Sequence, residues 1–153
     1  LVLVHVVLVT PQIPQNTGNI SRLAAGTGAH LHLVGELGFS LEDRYLKRAG
    51  LDYWPYVDVH VYESWSNFLA RRPRGRLLAF SAHAERSYTK AGYREDDLLV
   101  FGSETRGLSE TIRTEFADTL YTIPMQGKQV RSLNLSSAAA IVLYEALRQL
   151  GKV

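Results

Sequence analysis

The sequence predicts an α/β fold in which a mainly parallel sheet carries helices on both faces. Apolar, strand-like runs alternate with helix-like segments along the whole chain, which is the pattern of such folds. The first run, residues 1–9, is apolar almost throughout, as expected for a strand that is covered on both sides. The length of 153 residues fits one domain, and no repeat, linker or shift in composition divides residues 1–153.

Six strands are predicted from short runs that are rich in Val, Leu, Ile and aromatic residues. The second run is closed by Gly35, and the third shows the alternation of polar and apolar residues that is typical of a strand. The strands are expected at residues 1–9, 30–34, 57–62, 77–81, 98–101 and 120–123.

Helices are predicted between these strands and after the last one. Asn16 is expected to cap the first helix, which carries apolar residues at helical spacing and ends at Gly26 and Gly28. The last helix has the longest regular apolar stripe in the chain. The helices after the first are expected at residues 41–50, 63–72, 108–116 and 134–150.

Composition excludes several classes of protein and of site. Hydrophobic residues make up 46% of the chain, too many for a disordered protein. The absence of Cys excludes disulfides, thiolate metal sites and a Cys nucleophile. A formal net charge of +2 permits a nucleic-acid partner without requiring one. No apolar run approaches the roughly 18 residues of a membrane span and the start lacks a basic leader, so we expect a cytoplasmic protein without a membrane partner.

Three loops that follow predicted strands combine glycines with polar side chains. In parallel sheets, ligands bind at the carboxyl ends of the strands, so these loops form the candidate site. Gly102 and Gly107 would let the backbone approach a ligand closely, whereas Asn134 is expected to cap the helix that follows it. The sequence contains no Walker loop and no dinucleotide fingerprint. The three segments are residues 14–22, 101–108 and 123–136.

Together the three segments resemble the three motifs of the SPOUT superfamily, and more narrowly those of the TrmH-like RNA ribose 2′-O-methyltransferases. The matching stretches are residues 16–22, 99–108, 123–125 and 132–136. Residues 38–53 resemble the small subgroup of these enzymes that methylates the wobble nucleotide of tRNA. The resemblance covers essentially the full chain, and three ordered motifs are more specific than any one of them.

The resemblance implies a tRNA substrate, S-adenosylmethionine as methyl donor, S-adenosylhomocysteine as product and no metal. It also implies a trefoil knot in the C-terminal part and a homodimer. The cofactor-binding positions that it implies are Phe80, Gly102, Ile123, Ser132 and Leu133. The catalytic positions are Arg22, Glu104 and Asn134. The residues expected to contact RNA are Asn16, Lys47, Arg48 and Arg131. A larger side chain at Gly102 is expected to fill space that the cofactor needs.

Methyl transfer to a ribose oxygen requires the sulfur, the methyl group and the oxygen to be in line. Arginine is a poor base, so Arg22 is expected to orient the ribose or phosphate and to stabilise alkoxide charge, although proton removal by Arg22 remains an alternative. Three other functions stay open: methylation of another RNA such as rRNA, non-catalytic RNA binding, and generic nucleotide binding. His30 and His32 are expected to pack at a strand end rather than to bind metal, and His5 is expected in the core.

Overall fold

The computed structural model describes residues 4–42, 44, 48 and 51–153, with only the backbone at 51 and 52. Its centre is a six-stranded sheet in which every neighbouring pair of strands is parallel. The predicted α/β fold is therefore confirmed. The strands are β1 (His5–Val9), β2 (His30–Val34), β3 (Val59–Tyr62), β4 (Leu77–Phe80), β5 (Leu98–Phe101) and β6 (Leu120–Tyr121).

The order of the strands across the sheet is β3-β2-β1-β5-β4-β6. From β1 the chain moves outward to β2 and β3. It then forms β4, β5 and β6 on the other side of β1, with β5 next to β1. The loops that follow β1 and β5 therefore leave the sheet side by side, where the strand order reverses. Such a switch point is where open parallel sheets form a crevice for ligands.

Within residues 4–42 and 51–153, four α-helices and three short 3₁₀ segments connect or follow the strands. The α-helices are α1 (Pro14–Thr27), α2 (Trp65–Arg71), α3 (Glu110–Glu115) and α4 (Leu135–Gln149). The 3₁₀ segments are Leu51–Tyr56, Tyr88–Lys90 and Ala117–Thr119, none of which the sequence predicted.

Apolar residues form a core on each face of the sheet. On β1, Val6 and Leu8 belong to the core that α1 and α4 cover, whereas Val7 and Val9 belong to the core of α2 and α3. Both sets of side chains are buried, which explains why β1 is apolar throughout instead of alternating. Helices therefore cover both faces, as predicted.

The predicted N-cap of α1 is wrong. The helix begins at Pro14, so Asn16 lies within its first turn, and Ile13 at the cap position makes no side-chain capping bond. Proline is well suited to the first turn because a helix leaves those N–H groups without partners. Gly28 ends the helix in a left-handed conformation with φ of 78°, and Gly26 lies inside the helix.

Other element boundaries differ by a few residues. The third strand begins at Val59 rather than at residue 57, and the last strand ends at Tyr121 rather than at residue 123. Residues 1–3 and most of the predicted helix at 41–50 lie outside the described residues. In the part of the chain that is described, no helix is both long and apolar enough to cross a membrane. The trefoil knot stays a prediction.

Candidate active site

A cavity of about 240 Å³ opens at the carboxyl ends of β4, β5 and β6, on the β5 side of the switch point rather than between β1 and β5. It is lined by all five residues that the sequence assigns to the cofactor: Phe80, Gly102, Ile123, Ser132 and Leu133. Glu104 and Arg131, assigned to catalysis and to RNA, line the same cavity. Segments separated by about fifty residues in the sequence are thus brought to one place by the parallel sheet.

The floor of the cavity is apolar and its rim is polar. Phe80 and Phe101, at the ends of β4 and β5, stack with their ring centroids 5.2 Å apart. Leu135 and Ala138, which lie at the start of α4, also line the cavity. Thr105, Arg106 and Arg131 supply polar groups around them. A flat aromatic group can pack against such a floor, and a charged group can be held at such a rim.

The loop after β5 is a tight turn, and Gly102 and Gly107 make it possible. Gly107 has φ of 66°, and its N–H donates to the carbonyl of Ser103 at 2.9 Å. A Cβ atom at Gly102 would lie 2.1 Å from the carbonyl carbon of Gly107. A side chain at position 102 would therefore collide first with the protein's own backbone, so substitution of Gly102 tests the loop and not only the cofactor space.

Glu104 joins this loop to the start of α1. Its Oε1 accepts a hydrogen bond from the backbone N–H of Gln12 at 2.9 Å. Its Oε2 accepts from the N–H of Ile13 at 2.9 Å and from the side-chain amide of Asn16 at 3.1 Å. Both oxygens thus hold the N-terminus of α1, where a negative charge is favourable. We conclude that Glu104 caps this helix from a distance of about ninety residues in sequence.

Asn16 is buried, with an exposed fraction of 4%, so its amide reaches the loop after β5 and not the solvent. Asn16 is joined to the cavity through Glu104, and its contact with RNA stays a prediction. Arg22 lies two turns further along α1 and is exposed. Its guanidinium carbon lies 5.3 Å from the ring centroid of Tyr53, in a 3₁₀ segment. Arg22 does not line the cavity.

Asn134 also lies beside the cavity without lining it. Its Oδ1 accepts from the N–H of Ser136 at 2.9 Å and from the hydroxyl of Ser136 at 2.6 Å, which is the predicted N-cap of α4. Of the other residues assigned to RNA, Arg48 is exposed, and Lys47 lies outside the described residues.

Several cavity residues were not predicted from the sequence. Ser81, Ala82 and His83 follow β4, and Thr122 precedes Ile123. These residues carry no motif. However, β4 lies between β5 and β6 in the sheet, so the rule that ligands bind at strand ends identifies them once the strand order is known.

Comparisons with known proteins show what this chain is similar to. A tRNA (cytidine(34)-2'-O)-methyltransferase of Methylovorus glucosotrophus (strain SIP3-4) is 49% identical over 145 residues, 94% of each chain. A structure solved to study the 2-OH methylation of C/U34 on tRNA has 48% identity and a TM-score of 0.93, with 99% of each chain covered.

A more distant relative is the SpoU methyltransferase AviRb of Streptomyces viridochromogenes, whose structure was solved in complex with the cofactor AdoMet. It has 29% identity and a TM-score of 0.85, and the match covers 97% of this chain and 61% of AviRb. The model of the SpoU rRNA Methylase family matches residues 3–144. The chain therefore belongs to the SpoU rRNA Methylase family.

Proposed function

We propose that this protein transfers a methyl group from S-adenosylmethionine to the ribose 2′-OH of the wobble nucleotide of tRNA. The observation that carries the proposal is the convergence of all five predicted cofactor positions on one cavity. The substrate follows from the relatives, which are named for cytidine 34 or C/U34 of tRNA and match this chain at 48–49% identity. The cytoplasmic location stays a prediction.

The cavity suits S-adenosylmethionine by the chemistry of its lining. Adenine is flat and apolar on its faces, which matches the stacked Phe80 and Phe101 with Ile123 and Leu133. Gly102 and Ser132 line the same cavity, and their backbone N–H and C=O groups would bond to the edge of the base and to the sugar. When bound, the cofactor supplies an electrophilic methyl group on a sulfonium.

The chain's own residues divide into two groups around this cavity. Ile123, Ser132 and Leu133, which line the cavity, would hold the cofactor. Arg22, outside the cavity, would bind the ribose or phosphate of the RNA and stabilise negative charge that develops on the attacking oxygen. Glu104 would keep α1, and hence Arg22, in place relative to the cofactor loop.

A homodimer with an interface on α1 and α4 is part of the proposal, although two of the small residues on these helices already serve packing within one chain. Ala24 of α1 and Ala139 of α4 are buried in the core of a single chain, where they let the two helices pack closely. A dimer interface on these helices would instead use exposed side chains, among them Tyr144. Sedimentation that shows a monomer at micromolar concentration would contradict the dimer.

The function is tested with purified protein, S-adenosylmethionine and an unmodified tRNA transcript that has cytidine or uridine at the wobble position. We expect one added methyl group, mapped to that nucleotide by mass spectrometry of nuclease fragments. The matched control is the same tRNA with 2′-deoxyribose at the wobble nucleotide, which should not react. Methylation of ribosomal RNA in preference to tRNA would replace the proposed substrate, and no methylation of either would leave only an RNA-binding role.

The role of Arg22 is tested by Arg22→Ala. We expect the variant to bind S-adenosylhomocysteine as the parent does and to lose most single-turnover methyl transfer. Arg22→Lys keeps the charge but loses the planar fork, so it should recover little activity. Arg74→Ala removes the same charge from an exposed loop before β4 and serves as the control. Loss of cofactor binding in Arg22→Ala would place Arg22 in the cofactor site instead.

A further inference from the structure

A cluster of histidines that methyl transfer does not use lies at the amino ends of the strands, opposite the first cavity. Four of the five histidines of the chain lie near the amino ends of β1, β2 and β3. In the strand register, His5 is beside His30 and His32 is beside His60. Together with Asp58 they line a second cavity, which shares no lining residue with the first.

The two inner histidines are structural. His5 and His32 are buried, and His5 Nδ1 lies 2.9 Å from His32 Nε2. His32 Nδ1 lies 2.9 Å from the hydroxyl of Tyr62. This confirms the expectation that His5 is a core residue, and it shows that His32 is one as well.

The outer three residues are different because their polar atoms face an open cavity. Asp58 is 52% exposed and lies between two imidazoles. Its Oδ2 is 2.5 Å from His30 Nδ1, and its Oδ1 is 3.0 Å from His60 Nε2. One possible ligand atom from each of the three residues lies within 4.8 Å of the others. Small movements of this group would allow all three atoms to contact one ion.

We propose that His30, Asp58 and His60 form a binding site for a divalent transition-metal ion, with Zn²⁺ as the ion of choice. Two imidazole nitrogens and one carboxylate oxygen are typical Zn²⁺ ligands, and water would complete four-coordination. Ca²⁺ and Mg²⁺ prefer sites made of oxygen atoms, so this donor set disfavours both ions.

The site is held in shape by the residues behind it. The His60 ring stacks on His32 with centroids 5.1 Å apart, and the His30 ring lies 5.0 Å from that of His5. The backbone carbonyl of Asp58 accepts a hydrogen bond from the N–H of Leu31 at 2.9 Å, which anchors Asp58 to β2. The three ligands are therefore positioned before any ion binds, which reduces the ordering that binding requires.

A metal ion here would stabilise the sheet rather than take part in catalysis. Among the described strands, β3 lies at the edge of the sheet and has only β2 as its neighbour. The ion would connect His30 at the start of β2 to Asp58 and His60 at the start of β3. An ion that binds the folded protein raises its stability by mass action.

A bound anion is the competing interpretation, because Arg71 also lines this cavity. The Arg71 guanidinium carbon, however, lies 5.7 Å from the centroid of the Tyr62 ring, so the ring face takes up part of its interaction. The three potential metal ligands, by contrast, each offer an atom within 4.8 Å of the other two.

The test begins with purified protein that has been dialysed against a chelator. ZnCl₂, MgCl₂ and inorganic phosphate are titrated separately by calorimetry in a buffer that does not bind metal. We expect one Zn²⁺ per chain, no Mg²⁺ binding and a higher melting temperature with Zn²⁺. Methyl transfer should be the same with and without the chelator, so this test stands apart from that of the methylation itself.

Variants locate the ion. His60→Ala changes an exposed side chain and should weaken Zn²⁺ binding by about tenfold or more and abolish the rise in melting temperature. Asp58→Asn gives a second variant if the first does not fold. His83→Ala removes the one histidine outside the cluster and should bind Zn²⁺ as the parent does. Equal Zn²⁺ affinity in His60→Ala and the parent, or binding of phosphate without Zn²⁺, would overturn the proposal.

Discussion

The two helices beside the first cavity are capped in opposite ways. At α4, Asn134 accepts hydrogen bonds from Ser136, two residues away. At α1, Ile13 in the cap position contributes no side-chain bond, and the N–H groups of Gln12 and Ile13 donate to Glu104 instead. One helix is thus capped by its own sequence neighbour, and the other by a loop from the far half of the chain.

This difference explains which helix start could be predicted. The cap of α4 is a local pattern of Asn followed by an apolar stripe, and the prediction placed it correctly. The start of α1 depends on a carboxylate that only the fold brings near, so the local pattern pointed to Asn16 and was wrong. A helix start that is capped by a remote residue is harder to predict from the sequence. The same contacts make the position of the helix depend on the loop after β5.

The two capping modes also suit the two proposed halves of the site. α4 contributes Leu135 and Ala138 to the cavity itself. α1 contributes Arg22, which lies outside the cavity and must be positioned relative to it. The Glu104 contacts tie that position to the loop after β5, which lines the cavity. Removing each cap, or filling the cavity, should therefore have different effects on stability, on cofactor binding and on methyl transfer.

The largest effect is expected for Glu104→Ala. The variant leaves two backbone N–H groups and the buried amide of Asn16 without their acceptor. Each unsatisfied group costs up to about 1–3 kcal/mol, with water replacing part of the loss at the exposed N–H groups. We expect a lower free energy of unfolding in urea and near-complete loss of methyl transfer, because α1 would no longer be held against the loop.

Glu104→Gln is the matched control, since its one amide oxygen still accepts from Ile13 and Asn16. Its NH2 group would face the N–H of Gln12, so that hydrogen bond is lost together with the charge at the helix N-terminus. It should retain more stability than Glu104→Ala. If Glu104→Gln unfolds at the parent's urea concentration yet transfers no methyl group, the carboxylate acts in the reaction and its capping role is secondary.

The second effect is expected in the cavity and not at a cap. Ala138→Leu adds three carbon atoms at a residue that lines the cavity, at a position where Leu suits the helix. We expect the affinity for S-adenosylhomocysteine to fall by about tenfold, equivalent to about 1.4 kcal/mol, with little change in stability. Ala138→Ser adds a single oxygen and should bind nearly as the parent does. Equal affinity in the parent and both variants would show that the cofactor does not bind beside α4.

The limits of sequence-based prediction follow the same division between local and remote contacts. The apolar patterns predicted all six strands, and the motif resemblance predicted Phe80, Gly102 and Ile123 in one site. The contacts of Glu104 were not predictable, because they join residues 88 to 92 positions apart. For the same reason the sequence paired His30 with His32 on one strand, whereas the structure pairs His30 with Asp58 across two strands.

The third effect concerns one arm of the remote cap. Asn16→Ala removes the side-chain amide that donates to Glu104 Oε2 but leaves the two backbone bonds to this carboxylate. We expect a loss of about 1 kcal/mol in the free energy of unfolding, measured in urea, and a partial loss of methyl transfer. If Asn16→Ala is as damaging as Glu104→Ala, Asn16 rather than the backbone bonds holds the helix.

The last effect concerns the local cap, where Asn134→Ala should lower the free energy of unfolding by about 1 kcal/mol. Asn134→Asp restores an acceptor for the N–H of Ser136, and its charge is favourable at a helix N-terminus, so it should recover the lost stability. Methyl transfer then separates two roles for Asn134. If it acts only as a cap, Asn134→Asp should also recover single-turnover methylation of tRNA. If its amide N–H group contacts the substrate, as its motif position implies, Asn134→Asp should be as stable as the parent and remain inactive. We expect the second result. Full activity in Asn134→Asp would show that Asn134 acts only as a helix cap.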